Sequence, residues 1–222
     1  MERRRDFLVA GLALATGAMD AIGFLGLGGV FTSVMTGNLV LVGLGTGDRN
    51  GGLVLRSGLA LVGYIVGVAV GSRVAWRIGG SAVVWPRRVT LLLVFELVVL
   101  LGFTIGWELS GAGPAGASQG LLIVVASLAM GVQSAGIREL GVPGLSTTYL
   151  TGTLTAMVSD LARGRRSAGR GRGFVIVLAV VAGAAAGGVL VTEVPRATPV
   201  FPVAVLTAVI VVSLRSFRKR EI

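Results

Sequence analysis

Two residue types with wide catalytic reach are missing from this chain of 222 residues: it has no cysteine and no histidine. Disulfides, thiolate nucleophiles, zinc sites and imidazole acid–base chemistry are therefore excluded. Lysine occurs once, as Lys219, which leaves amine chemistry a single candidate. Charge is scarce as well, at 14% of residues, with only 10 acids. An ordinary soluble domain carries about 25%.

What fills the chain is apolar. Hydrophobic residues make up 54%, and the mean hydropathy is +0.88. The runs 89–107, whose only charge is Glu96, and 173–192 approach the roughly 20 residues that cross a bilayer core. The expectation is one all-α polytopic membrane domain over 1–222, with the lipid bilayer as its first partner. A net charge of +10 is compatible with nucleic acid, but the arginines cluster in short loops and at the chain ends. They read better as topology signals, so no nucleic-acid partner is expected. Arg4-Arg5-Asp6-Phe7-Leu8 imitates a twin-arginine export signal. More membrane sequence follows it, so Arg3, Arg4 and Arg5 are read as holding the first helix's start inside.

Six stretches read as full spans: about 6–25, 53–72, 89–108, 118–138, 173–193 and 198–214. Between them lie two shorter stretches, 30–47 and 144–162, rich in threonine, serine and glycine, and these carry a repeat. Gly29-Val30-Phe31-Thr32-Ser33-Val34-Met35-Thr36-Gly37-Asn38-Leu39 is echoed by Gly144-Leu145-Ser146-Thr147-Thr148-Tyr149-Leu150-Thr151-Gly152-Thr153-Leu154, about half the chain later. If both short stretches turn back instead of crossing, every basic residue except Arg49, Arg56 and Arg196 falls on the cytoplasmic side. If both cross, Arg73, Arg77, Arg87, Arg88 and Arg138 move outside, and only Arg49 and Arg56 come in. The positive-inside rule favours six spans. The halves, about 6–109 and 118–215, are then inverted repeats with two re-entrant helices and both termini cytoplasmic.

The tryptophans Trp76, Trp85 and Trp107 fall at or near span ends, where indole favours the headgroup level. Gly63, Gly67 and Gly71 on the second span, and Gly183 with Gly187 on the fifth, have the spacing of close helix packing.

A helix that starts inside a bilayer presents free N–H groups and a partial positive charge. Thr36-Gly37-Asn38 is expected to open one such half-helix and Thr151-Gly152-Thr153 another. Threonine and asparagine cap, and glycine admits a ligand closely. Facing each other, they suit a small polar or anionic solute. Asp20, deep in the first span, is costly there and is a functional candidate by default, with Thr32 nearby in sequence. Gln133 or Ser134 takes Asp20's place in the second half. Glu96 is a second intramembrane acid, open to pairing with Arg56 or Arg138, or to a role in proton relay. Arg138-Glu139 reads as an interface ion pair. No metal or cofactor is expected.

These phrases also carry a family resemblance. Asp20-Ala21-Ile22-Gly23-Phe24 leads to Gly29-Val30-Phe31-Thr32 and Met35-Thr36-Gly37-Asn38-Leu39. Met130-Gly131-Val132-Gln133-Ser134-Ala135 leads to Gly141-Val142-Pro143-Gly144 and Leu150-Thr151-Gly152-Thr153-Leu154. In that order they resemble the YoaK family, a domain of unknown function, across essentially the whole chain. The resemblance implies a multi-pass protein of the bacterial plasma (inner) membrane and no established substrate.

The leading expectation is a secondary transporter, proton- or cation-coupled through Asp20. The alternatives are a passive channel or a non-transporting accessory protein. An enzyme is not expected, because the chemistry reduces to carboxylates and hydroxyls outside any protease-like motif. A homo-oligomer is compatible with the sequence.

Overall fold

The structure, a computed structural model, describes residues 1–79, 84–141, 150–164 and 169–217. Among these residues the fold is wholly helical: α1 (Glu2–Gly26), α2 (Met35–Gly47), α3 (Gly51–Ile78), α4 (Arg87–Leu109), α5 (Gly116–Arg138), α6 (Leu150–Ala162), α7 (Gly169–Glu193) and α8 (Val200–Phe217). A single 3₁₀ turn, Pro195–Ala197, joins α7 to α8. Proline and asparagine set several starts. Pro86 precedes α4, and the Asn50 side chain accepts the Leu53 N–H at 3.0 Å at the head of α3.

Among the described residues, six helices are long and apolar enough to cross a membrane: α1, α3, α4, α5, α7 and α8, the last extended through the 3₁₀ turn. They match the expected spans within a few residues, except that α3 runs on to Ile78. The remaining two, α2 and α6, have 13 residues each. At 1.5 Å per residue each covers about 20 Å, short of a hydrocarbon core of roughly 30 Å.

The bundle is arranged around α1 and α5. Their apolar windows are each 67% buried, against 22% for α3 and 17% for α7. The first span of each half is thus central and the second peripheral. Helix α3 packs on α5 and α7 on α1; α4 packs on α5 and α8 on α1; α2 packs on α3 and α6 on α7. Exchanging the halves turns each member of these pairs into the other.

Glycines bring the two main pairs close. Gly67 lies against the Leu128 carbonyl and Gly183 against that of Leu14, while Gly131 meets Tyr64 and Gly17 meets Val180. A Cβ at any of the four would overlap a backbone oxygen, so glycine is the residue that permits this approach. The matched contacts also register the halves: Gly17 corresponds to Gly131, and hence Asp20 to Ser134.

Contacts fix the helix directions. The α1 start lies beside the α8 end, where Gly11 abuts Val209, and Ser213 on α8 lies 3.4 Å from Thr90 at the α4 start. Arg172 near the α7 start is 3.7 Å from Asp6. At the opposite end, Trp107 Nε1 on α4 donates to Pro195 O at 2.9 Å, and the same ring abuts Gly26. Arg56 Nε, at the α3 start, donates to Gly28 O just past α1, at 3.0 Å. Helices α1, α4 and α7 therefore run one way and α3, α5 and α8 the other.

All three tryptophans lie at or near span ends as expected, Trp76 near the end of α3 and Trp85 and Trp107 at the two ends of α4. Trp76 is exposed, while Trp85 and Trp107 are buried. Their indole N–H groups bond Thr90 Oγ1 and Pro195 O. One sequence expectation is corrected here. Glu139 does not pair with its neighbour Arg138; it takes Arg88 across the α4–α5 contact at 2.7 Å.

Candidate functional site

After α1 the chain turns at Gly28 and Gly29, with φ of 88° and 83°, values that favour glycine. It then runs back along α1 before α2 begins. Val30 O and Thr32 Cγ2 lie 2.7 and 2.9 Å from where a Cβ would stand on Gly23, so the returning segment presses on the helix it has just left.

Asp20 ties this segment down. Its Oδ1 accepts from Thr32 N at 2.9 Å, Thr32 Oγ1 at 3.1 Å and Ser33 N at 2.7 Å, and its Oδ2 accepts from Ser33 Oγ at 2.6 Å. The carboxylate, both hydroxyls and both amides are buried together. One turn further, Asn38 closes a second clasp. Its Oδ1 accepts the Phe31 N–H at 3.0 Å, and its Nδ2 donates to Phe31 O at 2.6 Å. The Phe31 ring stacks on Phe24, centroids 5.3 Å apart, and Gly37 lies beneath it. Asp20, Thr32, Gly37 and Asn38 are thus brought into one knot.

Thr36 is not part of it. Helix α2 starts at Met35, so Thr36, Gly37 and Asn38 form its first turn instead of capping it. Thr36 is exposed, and only Asn38 of the three faces the interior. The second copy repeats this pattern: Thr151 is exposed, Gly152 is half-buried and Thr153 is buried. In both copies the inward position is the third residue of the phrase. The part of the second phrase from Gly144 to Tyr149 lies outside the described residues.

Where the two central helices meet, Gln133 Nε2 donates to Thr16 Oγ1 at 2.7 Å, and Thr16 donates in turn to Leu12 O at 2.9 Å. Gln133 and Thr16 are fully buried, and they join the halves through a polar link. Thr16 and Ser33 were not singled out in the sequence. Thr16 lies one turn before Asp20 on the same face, and Ser33 adjoins Thr32; those positions were the available signals.

Glu96 contrasts with all of this. It is fully buried on α4, yet neither carboxylate oxygen has a hydrogen-bond partner among the described residues. The pairing considered with Arg56 or Arg138 is not made: Arg56 is taken by Gly28 O, and Arg138 is exposed. Helices α4 and α5 run antiparallel, with Leu92 against Gly136 and Leu122 against Gly106. This register sets Glu96 near the level of Gln133. Ser57 and Ser127 also have buried hydroxyls without a hydrogen-bond partner among the described residues. Among the described residues, no three acids gather as a metal would require.

Comparisons with known proteins show the family. The family described as "Protein of unknown function (DUF1275)" matches residues 8–213. The chain is 36% identical over 157 residues to "UPF0700 transmembrane protein YoaK" of Bacillus subtilis (strain 168), covering 71% of this chain and 67% of that protein. No solved structure matches. With nearly its whole length matched and six helices fit to cross a bilayer, the chain belongs to the DUF1275 family of YoaK-like, multi-pass membrane proteins.

Proposed function

We propose that this protein is a secondary transporter for a small polar or anionic solute. In this reading its halves are inverted repeats, α2 and α6 are re-entrant, and both termini lie on the cytoplasmic side of the bacterial plasma membrane. The reading assigns no catalysis.

The observation that carries transport over a purely structural role is Glu96. An ionisable group in a membrane span costs roughly 2.5–3.5 kcal/mol on insertion scales and is normally relieved by a partner. Among the described residues no hydrogen-bond partner relieves it, so the expense has no structural return there. A proton or cation arriving during the transport cycle would supply the missing interaction.

The helix directions support the layout. The long helices alternate strictly in chain order, as they must if neither short helix changes sides. The α2 segment leaves α1 near Gly28, reaches the depth of Asp20 and rejoins the Gly28 end at Arg56. The solute is placed where the two short helices begin, beside the inward Asn38 and Thr153 and the Thr16–Gln133 link. Asp20 already supplies negative charge at the first opening, while its counterpart Ser134 is neutral. An anionic group on the solute would therefore sit on the α6 side.

The test is a thermal-shift screen of the purified protein against a metabolite and ion library, followed by proteoliposome flux with any solute that stabilises it. Solute-dependent flux that disappears in Glu96→Gln, with the folded protein retained, is expected. Undiminished flux in Glu96→Gln would refute the coupling role.

A further inference from the structure

We infer a binding site for one anionic phospholipid in the groove between the start of α1 and the end of α8. The two helices touch at Gly11 and Val209. The groove that opens there has a volume of about 470 Å³. Its floor is apolar, formed by Phe7, Ala208, Val209 and Val212, and its rim carries Arg3 and Arg4. Phe7 is 82% exposed at the chain end that the arginines mark as the membrane boundary.

Charge decides the occupant. Arg3 and Arg4 are exposed, as is Arg215 one residue before the groove's Ser216, and none has an acidic partner among the described residues. Asp6 is already engaged by Arg5 at 3.2 Å and Arg172 at 3.7 Å. That leaves Glu2 as the one uncommitted acid on the first turn of α1. An apolar trough with a guanidinium rim complements a lipid whose phosphate lies at Arg3 and Arg4 and whose acyl chain lies along Phe7 and Val209. A zwitterionic lipid would present its own ammonium to this rim and gain less.

The test compares dioleoylphosphatidylglycerol with dioleoylphosphatidylcholine, added to the full-length protein in detergent. Melting temperature and native-mass-spectrometry lipid counts are the readouts. Phosphatidylglycerol should raise the melting temperature saturably and be retained as one tight copy. Its affinity should fall about fivefold for each arginine removed in Arg3→Gln and Arg4→Gln. Ala208→Trp fills the trough while leaving the rim intact, and it should expel the same copy; this variant keeps the test valid if the arginine variants insert poorly. Equal binding of the two lipids would overturn the site. So would a phosphatidylglycerol preference that survives Ala208→Trp, or an equal shift with inorganic phosphate alone.

Discussion

Two acids lie inside this bundle, and their surroundings are opposite. Asp20 accepts four hydrogen bonds from two consecutive residues, Thr32 and Ser33. Among the described residues Glu96 accepts none, and it is fully buried. A buried charge with its donors in place is a fastening: it trades desolvation for fixed geometry, here the return of the chain before α2. A buried acid without donors stabilises nothing in this conformation. The contrast shifts the expected coupling role from Asp20 to Glu96, and it yields distinct outcomes for substitution.

The largest effect is expected at Asp20. Asp20→Ala strands two amides and two hydroxyls and should lower stability by about 3–5 kcal/mol, read from denaturation midpoints in micelles. Asn38→Ala opens the second clasp and leaves Phe31 N–H and C=O unpaired, for a loss of about 2–3 kcal/mol. Glu96→Leu should act in the other direction. Removing an unpaired buried acid is expected to raise stability by about 1–3 kcal/mol while abolishing transport. Destabilisation in Glu96→Leu would mean that the acid has a partner after all and would erase the contrast. The smallest effects belong to Thr36→Val and Thr151→Val. Both residues are exposed, and each change should stay within about 0.5 kcal/mol and leave solute binding intact.

The sequence made the architecture legible because lipid imposes simple rules. Long apolar runs marked the six spans, and the distribution of arginines favoured turning back for the two short stretches. The helices found there, α2 and α6, have 13 residues each, short of a hydrocarbon core. The repeated phrase located both short helices to within a turn. What stayed hidden was which way each side chain faces. Thr36 and Asn38 are two residues apart, so on a helix they point about 200° apart, and the phrase alone does not say which one is inward. The tryptophans lie at or near span ends as expected, but which way they face was hidden for a related reason. Position near a span end does not distinguish the exposed Trp76 from Trp85 and Trp107, whose N–H groups found partners inside. Asp20's partners were within thirteen residues and could be guessed; that Glu96 has no hydrogen-bond partner among the described residues is a property of the assembled bundle alone.

The most direct test of the account is the side of the membrane on which each short segment ends. The chain has no cysteine, so single cysteines placed at Asn50 and Arg163 report without background. Labelling with a membrane-impermeant maleimide in intact cells and in inverted vesicles should find Asn50 outside and Arg163 inside, as six spans with two inverted halves require. Both positions reactive only from the inside would mean that α2 and α6 cross completely, and would contradict the inverted-repeat transporter.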